Sequence, residues 1–342
     1  MKTIGIVTIV DYNYGNRLQN YALYSTLTTL GYNVKTIPKE NFYKIKKMAK
    51  LFVKTVCRKH NNWELMETNI PYSVFAADKI DTSKCDYFVA GSDQIWNPIF
   101  GTTTKREFLN FAKPEQRVAY AASIGLNKVD DDFYQKFGDE IKKFKAISVR
   151  EASAVDIVKK VYDDDVSVVV DPVLLLTADK WSSVTNNARI DVKERYVCSY
   201  FLGNKDNECV KAIYDGAKEK NYKIIDILSI NRSDKGKIGP LEFVKCIKNS
   251  EFVVTDSFHA TVFSIIFKRP FIAINRSANN ATGDMSTRLI SILRLFGFEN
   301  RFVQKVEDLP DDYWNCDFSG TDEIIENERK KSLEFLKNSF EK

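Results

Sequence analysis

A chain of 342 residues with 44% hydrophobic and 13% aromatic content is long for one open α/β domain and rich enough in apolar side chains for two packed cores, which excludes a disordered or low-complexity protein. Its 51 basic and 46 acidic residues leave a formal charge of +5, a mixed surface with no nucleic-acid-binding signature, so nucleic acid is not an expected partner. The six cysteines (Cys57, Cys85, Cys198, Cys209, Cys246 and Cys316) are scattered without C-x-x-C or zinc spacing, which points to thiols in a reducing compartment and to no metal site.

In chain order, Ile4–Val10 reads as a strand buried on both faces. Polar residues from Asp11 interrupt this run, so it is neither a signal peptide nor a membrane span, and a cytoplasmic location is expected. The loop that follows, Asp11–Asn20, carries Asn13, Tyr14, Asn16 and Arg17, and precedes a helix predicted over Tyr21–Leu30 and a strand over Tyr32–Pro38. It is not G-x-G-x-x-G, so no dinucleotide is implied; its residues suit a hydroxyl-rich or anionic ligand, or equally a turn with a cap. Lys44–Lys59 is strongly basic with Ile45, Met48, Leu51 and Phe52 at helical spacing, compatible with a solvated amphipathic helix, with peripheral contact at an anionic inner-membrane surface or with a polyanionic substrate.

Asp86–Ala90 is the next buried strand and runs into Gly91-Ser-Asp-Gln-Ile-Trp-Asn-Pro98, which sets Asp93 and Trp96 at a strand's C-terminal end. Trp96 fits either a sugar face or the core. The strand Arg117–Gly125, the helix Asp131–Phe144, the strand Ala146–Arg150, the helix Ala152–Lys160 and the strand Val166–Val170 complete a first half. Val173–Arg195 reads as a connection.

The second half restarts with the strand Tyr196–Leu202, the helix Asn207–Lys220, the strand Tyr222–Leu228 and a helix from Gly239-Pro240 through Lys248. Glu251–Ile274 is a βαβ unit: strand Phe252–Thr255, helix Phe258–Phe267, closure at Pro270 and strand Phe271–Ile274. Asp256-Ser257-Phe258-His259 sits at its first turn, with Ser257 as N-cap and His259 beside backbone N–H groups that favour an anion. Ligands of open α/β sheets bind at such strand ends, although a lone histidine is also compatible with a structural role. A polar loop, Ser277–Gly283, and helices over Ser286–Phe296 and Thr321–Phe340 follow. The pattern predicts two Rossmann-like α/β domains, 1–175 and 176–342, facing across a cleft, with the last helix packing back on the first domain.

Six motifs in order then carry a family resemblance: N-Y-G-N (Asn13–Asn16), V-A-G-S-D-Q-I-W-N (Val89–Asn97), A-Y-A-A-S-I-G (Ala119–Gly125), S-V-R-E (Ser148–Glu151), V-D-P-V-L-L (Val170–Leu175) and T-D-S-F-H (Thr255–His259). Together they resemble the polysaccharide pyruvyl transferase family, whose fold is similar to GT-B glycosyltransferases. The resemblance implies transfer of the enolpyruvyl group of phosphoenolpyruvate onto two hydroxyls of a polysaccharide or its lipid-linked precursor, as in capsule, exopolysaccharide or cell-wall synthesis. The products are a pyruvate ketal and phosphate, with phosphoenolpyruvate as co-substrate and no cofactor.

That resemblance associates donor binding with His259 and Arg150; Ser257, Phe258 and Arg288 are further donor-side candidates, and Asn13, Tyr14, Asn16, Arg17 and Trp96 are the acceptor-side candidates read from the residues. His259 is the expected acid, Asp93 or Asp256 the expected base, and no metal is needed. Two departures stand out. Some members carry Arg-Leu-His where this chain has Ser257-Phe258-His259, and Arg288 or Arg276 is the candidate replacement; many have Asp where this chain has Asn16. Two other readings compete with pyruvyl transfer: a GT-B glycosyltransferase using a nucleotide sugar, and a non-catalytic carbohydrate-binding protein.

Overall fold

The computed structural model describes residues 1–10, 13–37, 84–101, 103–229, 238–275 and 286–341. The basic stretch Lys44–Lys59, the loop Ser277–Gly283, and Asp11 and Arg276 lie outside the described residues. The chain divides into two compact units: the described residues of 1–176 and 326–341 form the first, and those of 177–325 the second. The expected boundary at 175/176 falls one residue away, and residues 326–341 belong with the first unit.

In unit 1, β1 (Thr3–Val7), β2 (Asn33–Ile37), β3 (Tyr87–Ala90), β4 (Arg117–Ala122), β5 (Ala146–Val149) and β6 (Val166–Val168) form one parallel sheet in the order β2-β1-β3-β4-β5-β6. Helices α1 (Tyr14–Thr29), α2 (Asp131–Ile141) and α3 (Ala152–Lys159) connect its strands. Parallel strands covered on both faces must be apolar along their whole length, which is why Ile4, Ile6, Phe88, Val89 and Ile147 are fully buried without alternation. The core continues through Trp96, Phe108, Phe133 and Phe137, with the Trp96 ring stacked on Phe108 at 5.0 Å.

Unit 2 opens with α4 (Ala178–Val184) inside the stretch read as a connection; the fully buried Trp181 packs edge-on to Phe263 at 5.0 Å and anchors it. Its strands β7 (Tyr196–Tyr200), β8 (Lys223–Asp226), β9 (Phe252–Thr255), β10 (Phe271–Ile274) and β11 (Phe302–Val303) form a parallel sheet ordered β11-β10-β9-β7-β8. The helices are α5 (Glu208–Glu219), α6 (Pro240–Lys248), α7 (Phe258–Ile266) and α8 (Thr287–Phe296). The β9-α7-β10 unit is the predicted one, and α7 is buried on all sides, in keeping with its run of apolar residues. The edge strand β11 has only two residues, too short for a periodicity signal.

The last helix, α9 (Thr321–Glu341), spans the boundary between the units. Its final turns are fastened to unit 1: Lys2 Nζ donates to the Phe340 carbonyl at 2.7 Å, Tyr87 Oη to the same oxygen at 3.1 Å, and Arg329 Nε to the Leu174 carbonyl at 3.0 Å. The fully buried Phe340 ring meets Tyr32 and Tyr87 at 5.3 and 5.2 Å. Phe340→Ala should therefore destabilise unit 1 by about 3–5 kcal/mol, read as a lowered urea midpoint by far-UV circular dichroism.

Candidate functional site

In an open parallel sheet the ligand crevice lies where successive connections leave in opposite directions. Unit 1 reverses between β1 and β3, and unit 2 between β7 and β9. The segments leaving these four strand ends contain most of the residues singled out from the sequence.

At the unit 1 switch point, Asn13 caps α1 by accepting from the Asn16 N–H at 3.3 Å. The helix therefore starts at Tyr14, seven residues before the predicted start, and Tyr14, Asn16 and Arg17 stand on its buried first turn rather than in a loop. The polar residues Asn16, Arg17, Gln19 and Asn20 masked the helical period, because this turn buries amides and a guanidinium instead of aliphatic side chains. Gln19 donates to Thr8 Oγ1 at 2.9 Å and Thr8 in turn to the Ser92 carbonyl at 3.2 Å, which ties α1 to the loop after β3. The Asn16 amide donates to Asp93 Oδ2.

Asp93 adopts a left-handed backbone conformation (φ 68°), unusual for a residue with a side chain and characteristic of sites where strain is held by surrounding contacts. Those contacts are visible. The Gln94 N–H donates to Asp93 Oδ1 at 2.9 Å, Ser123 N–H to the Asp93 carbonyl at 3.0 Å, and Trp96 N–H to the Ser123 carbonyl at 3.2 Å. The Ser123–Gly125 loop is itself pinned by Glu151, one of whose carboxylate oxygens accepts from Ser123 Oγ and from the N–H groups of Ile124 and Gly125 at 2.8–3.1 Å. Gly125 has no alternative: its φ is +72°, and an added Cβ would stand 2.7 Å from Gln94 Nε2.

Arg150 lies just past β5, only 6% exposed, with Nη1 on Asp171 Oδ2 at 2.6 Å, Nη2 at 4.0 Å from Asp93 Oδ1 and Nε at 3.9 Å from Glu151 Oε2. Burial opposes its charge, yet Asp171, Asp93 and Glu151 outweigh burial and hold the guanidinium above its ordinary value. One cation among three buried carboxylates is an internal ion cluster of net negative charge, which differs from the isolated anion receptor read from the sequence. A salt bridge from Arg150 to Glu151 or another carboxylate is the structural alternative the sequence also allows; Asp171, shortly after β6 within V-D-P-V-L-L, is the carboxylate that makes the 2.6 Å contact.

Trp96, expected to pack a sugar, is corrected outright. It is fully buried, its indole N–H donates to the Glu107 carbonyl at 3.1 Å, and its ring is enclosed by Phe108 and Phe144. The stacking surface is already used within the core, so no sugar face reaches it.

At the unit 2 switch point, Ser257 caps α7 by accepting from the Ala260 N–H at 3.5 Å, as predicted. His259 lies in the first turn, 6% exposed, with the Phe258 ring edge-on at 5.3 Å. The Asp256 carboxylate accepts from the N–H groups of Leu202 and Gly203, each at 2.7 Å, and so joins the loop after β7 to the loop after β9. With both oxygens on backbone donors, Asp256 anchors these two loops to one another. Arg288 stands half-buried in the first turn of α8, which packs against α7. Asp226, at the end of β8, was missed; it pairs with Lys205 and accepts from the Ser229 N–H at 3.0 Å.

Burial pushes the Cys198 thiol well above its ordinary value and Cys246 up to about 12, so neither supplies a thiolate nucleophile. Among the described residues no group of three or more His, Cys, Asp or Glu side chains is arranged to hold a metal ion. No helix of the described residues is long and apolar enough to cross a membrane.

Two parallel sheets with these strand orders and connecting helices place the chain in the GT-B-like α/β class, and solved structures of that class align over nearly its full length. The S. aureus MnaA–UDP structure has a TM-score of 0.50 at 12% identity, covering 98% of this chain and 91% of its own. A Listeria monocytogenes protein assigned as a UDP-N-acetylglucosamine 2-epimerase has a TM-score of 0.53 at 9% identity, with 98% and 90% covered. The glycotransferase of kitacinnamycin gives 0.52 at 11% identity, with 98% of each chain covered. At these identities the likeness is one of fold. No curated protein sequence matches the chain. The family model for polysaccharide pyruvyl transferase matches residues 13–278, and the chain belongs to that family.

If Asp256 is the anchor described, Asp256→Ala strands two backbone donors and should cost about 2–4 kcal/mol. The expected observation is a lowered melting temperature for the variant, with far-UV circular dichroism unchanged below the transition.

Proposed function

We propose that this protein transfers the enolpyruvyl group of phosphoenolpyruvate to two hydroxyls of a sugar in a polysaccharide or its lipid-linked precursor, forming a cyclic ketal and releasing phosphate. The single observation that carries this reading is the family match over residues 13–278. The position of His259 at the helix start of the unit 2 switch point supports it.

The chemistry requires one proton at the vinyl carbon, two carbon–oxygen bonds made and the phosphate ester bond broken. Of the two hydroxyl protons, one is balanced by the new methyl group and the other leaves with phosphate. His259 is the proposed acid. It stands beside α7 backbone N–H groups that favour the donor's anionic oxygens, and Arg288 in the first turn of α8 is the proposed second contact for phosphate. Asp93 is the proposed base for the acceptor hydroxyls, with Asn16 orienting its carboxylate and Asn13, Tyr14 and Arg17 on the acceptor side.

The nucleotide-sugar reading has one observation in its favour. Asp226 ends the second strand of unit 2, where an acidic residue holds a ribose in dinucleotide-binding sheets. Two observations weigh against it. Asp226 is engaged by Lys205 and Ser229, and the N–H groups of Leu202 and Gly203, which a diphosphate would need, already hold Asp256.

His259→Asn keeps size and hydrogen bonding but delivers no proton near neutral pH. Turnover should fall roughly 10²–10⁴-fold, with the KM for phosphoenolpyruvate changed far less. Phosphate release from phosphoenolpyruvate with a panel of lipid-linked or aryl glycosides is the assay. Normal turnover by the variant removes His259 from the chemistry. A melting-temperature rise with UDP- or GDP-sugars and none with phosphoenolpyruvate would favour the second reading.

A further inference from the structure

The geometry points to Arg150 and Asp171 as a positioning pair that holds Asp93 in its strained conformation and controls its charge, rather than as direct contacts of the donor. This rests on the reading of Asp93 as the base. Asp171 is fully enclosed and fixed from three sides: Ser92 Oγ donates to Oδ2 at 3.0 Å, the Val173 N–H to Oδ1 at 3.1 Å, and Arg150 Nη1 to Oδ2 at 2.6 Å. Ser92 is the chain neighbour of Asp93, so Asp171 grips the Asp93 loop once through Ser92 and again through the guanidinium, whose Nη2 is 4.0 Å from Asp93 Oδ1.

Among the described residues, the charged groups carried by the elements packed around Asp93 are Arg17 on the first turn of α1, Arg150 and Glu151 past β5, and Asp171 past β6. Glu151 is committed to the Ser123–Gly125 loop, and Asp171 and Asp93 share one guanidinium. At Asp93 the negative charge of Asp171 opposes the positive charge of Arg150, so removing one or the other changes the field there in opposite directions.

The test uses the full chain labelled with ¹³C at the aspartate carboxyl carbons, the Asp93 resonance being assigned by its absence in Asp93→Asn. It needs no substrate, so it reads the pair even if pyruvyl transfer is the wrong activity. In Asp171→Asn the guanidinium acts on Asp93 alone, and the Asp93 resonance should titrate at lower pH than in the unaltered chain, by about one pH unit. In Arg150→Lys the forked bridge is lost, and the same resonance should titrate at higher pH. Opposite shifts are a signature that simple loosening of the fold does not give. If one variant fails to fold, the direction of the other decides.

Kinetics supply the second readout. The acidic limb of the kcat/KM profile for phosphate release should follow the Asp93 resonance, and the KM for phosphoenolpyruvate should stay within about threefold of the unaltered enzyme, the size of effect expected away from the donor. The proposal is overturned if the resonance does not move in either folded variant. It is equally overturned if Arg150→Lys raises the KM for phosphoenolpyruvate tenfold or more while leaving Asp93 where it was. Absence of any phosphate release by the unaltered protein would count against pyruvyl transfer and leave the positioning pair to stand or fall on the resonance.

Discussion

A parallel strand buried on both faces has no side on which to carry a polar group, and this constraint shapes both units. The inner strands β1, β3, β4, β5, β7, β9 and β10 each lie between two parallel neighbours, so charged residues are pushed to their ends. Because all strands in a unit run the same way, their C-terminal ends collect along one edge of the sheet. The order of strands then decides which two ends are left with a gap between them: β1 and β3 in unit 1, β7 and β9 in unit 2. Chemistry is concentrated at these gaps because buried polar groups are tolerated only where they can satisfy one another.

The two switch points meet that requirement differently. Unit 2 uses the Asp256 carboxylate as a bridge between loops, filling a pair of backbone donors beside the helix start at Ser257–His259. Unit 1 uses a chain of side chains from α1 and from the ends of β3, β5 and β6, with one arginine shared among three carboxylates. The strained backbone at Asp93 is bearable because the neighbouring loop is fixed independently through Glu151. The bulge in β4 belongs to the same construction. Ala121 has a left-handed backbone (φ 49°), and Ser148 spans the irregularity by accepting from the Ala121 N–H at 3.1 Å and donating to the Ala119 carbonyl at 3.0 Å. The serine of S-V-R-E therefore serves the strand and its arginine the ion cluster.

This arrangement clarifies why the motifs read as a family signature although few of their residues need to touch substrate. Trp96 fills the core, Gly125 permits a turn, Asp171 fixes an arginine, and Asp256 holds a loop. Each makes a contact to a residue from another segment of the chain. The family match over residues 13–278 covers both switch points, with Asp93 and His259 at their strand ends.

The sequence by itself determined the parallel α/β class, the β9-α7-β10 unit, the Ser257 cap and the strand-end positions of Asp93, Arg150 and His259. Continuous apolar runs, β-branched residues and capping residues are local signals, readable within one element. It did not reveal the start of α1, because the first turn buries amides whose partners, Thr8 and Asp93, come from other segments. Nor did it distinguish a tryptophan facing a ligand from one facing Phe108, or an arginine awaiting an anion from one already among three carboxylates. Those outcomes depend on which side chains are brought within a few ångströms by the strand order, and residues separated by tens of positions in the chain give no periodicity from which that proximity could be read. Only the tertiary structure decided them, because burial makes each polar group's role depend on the partner it finds.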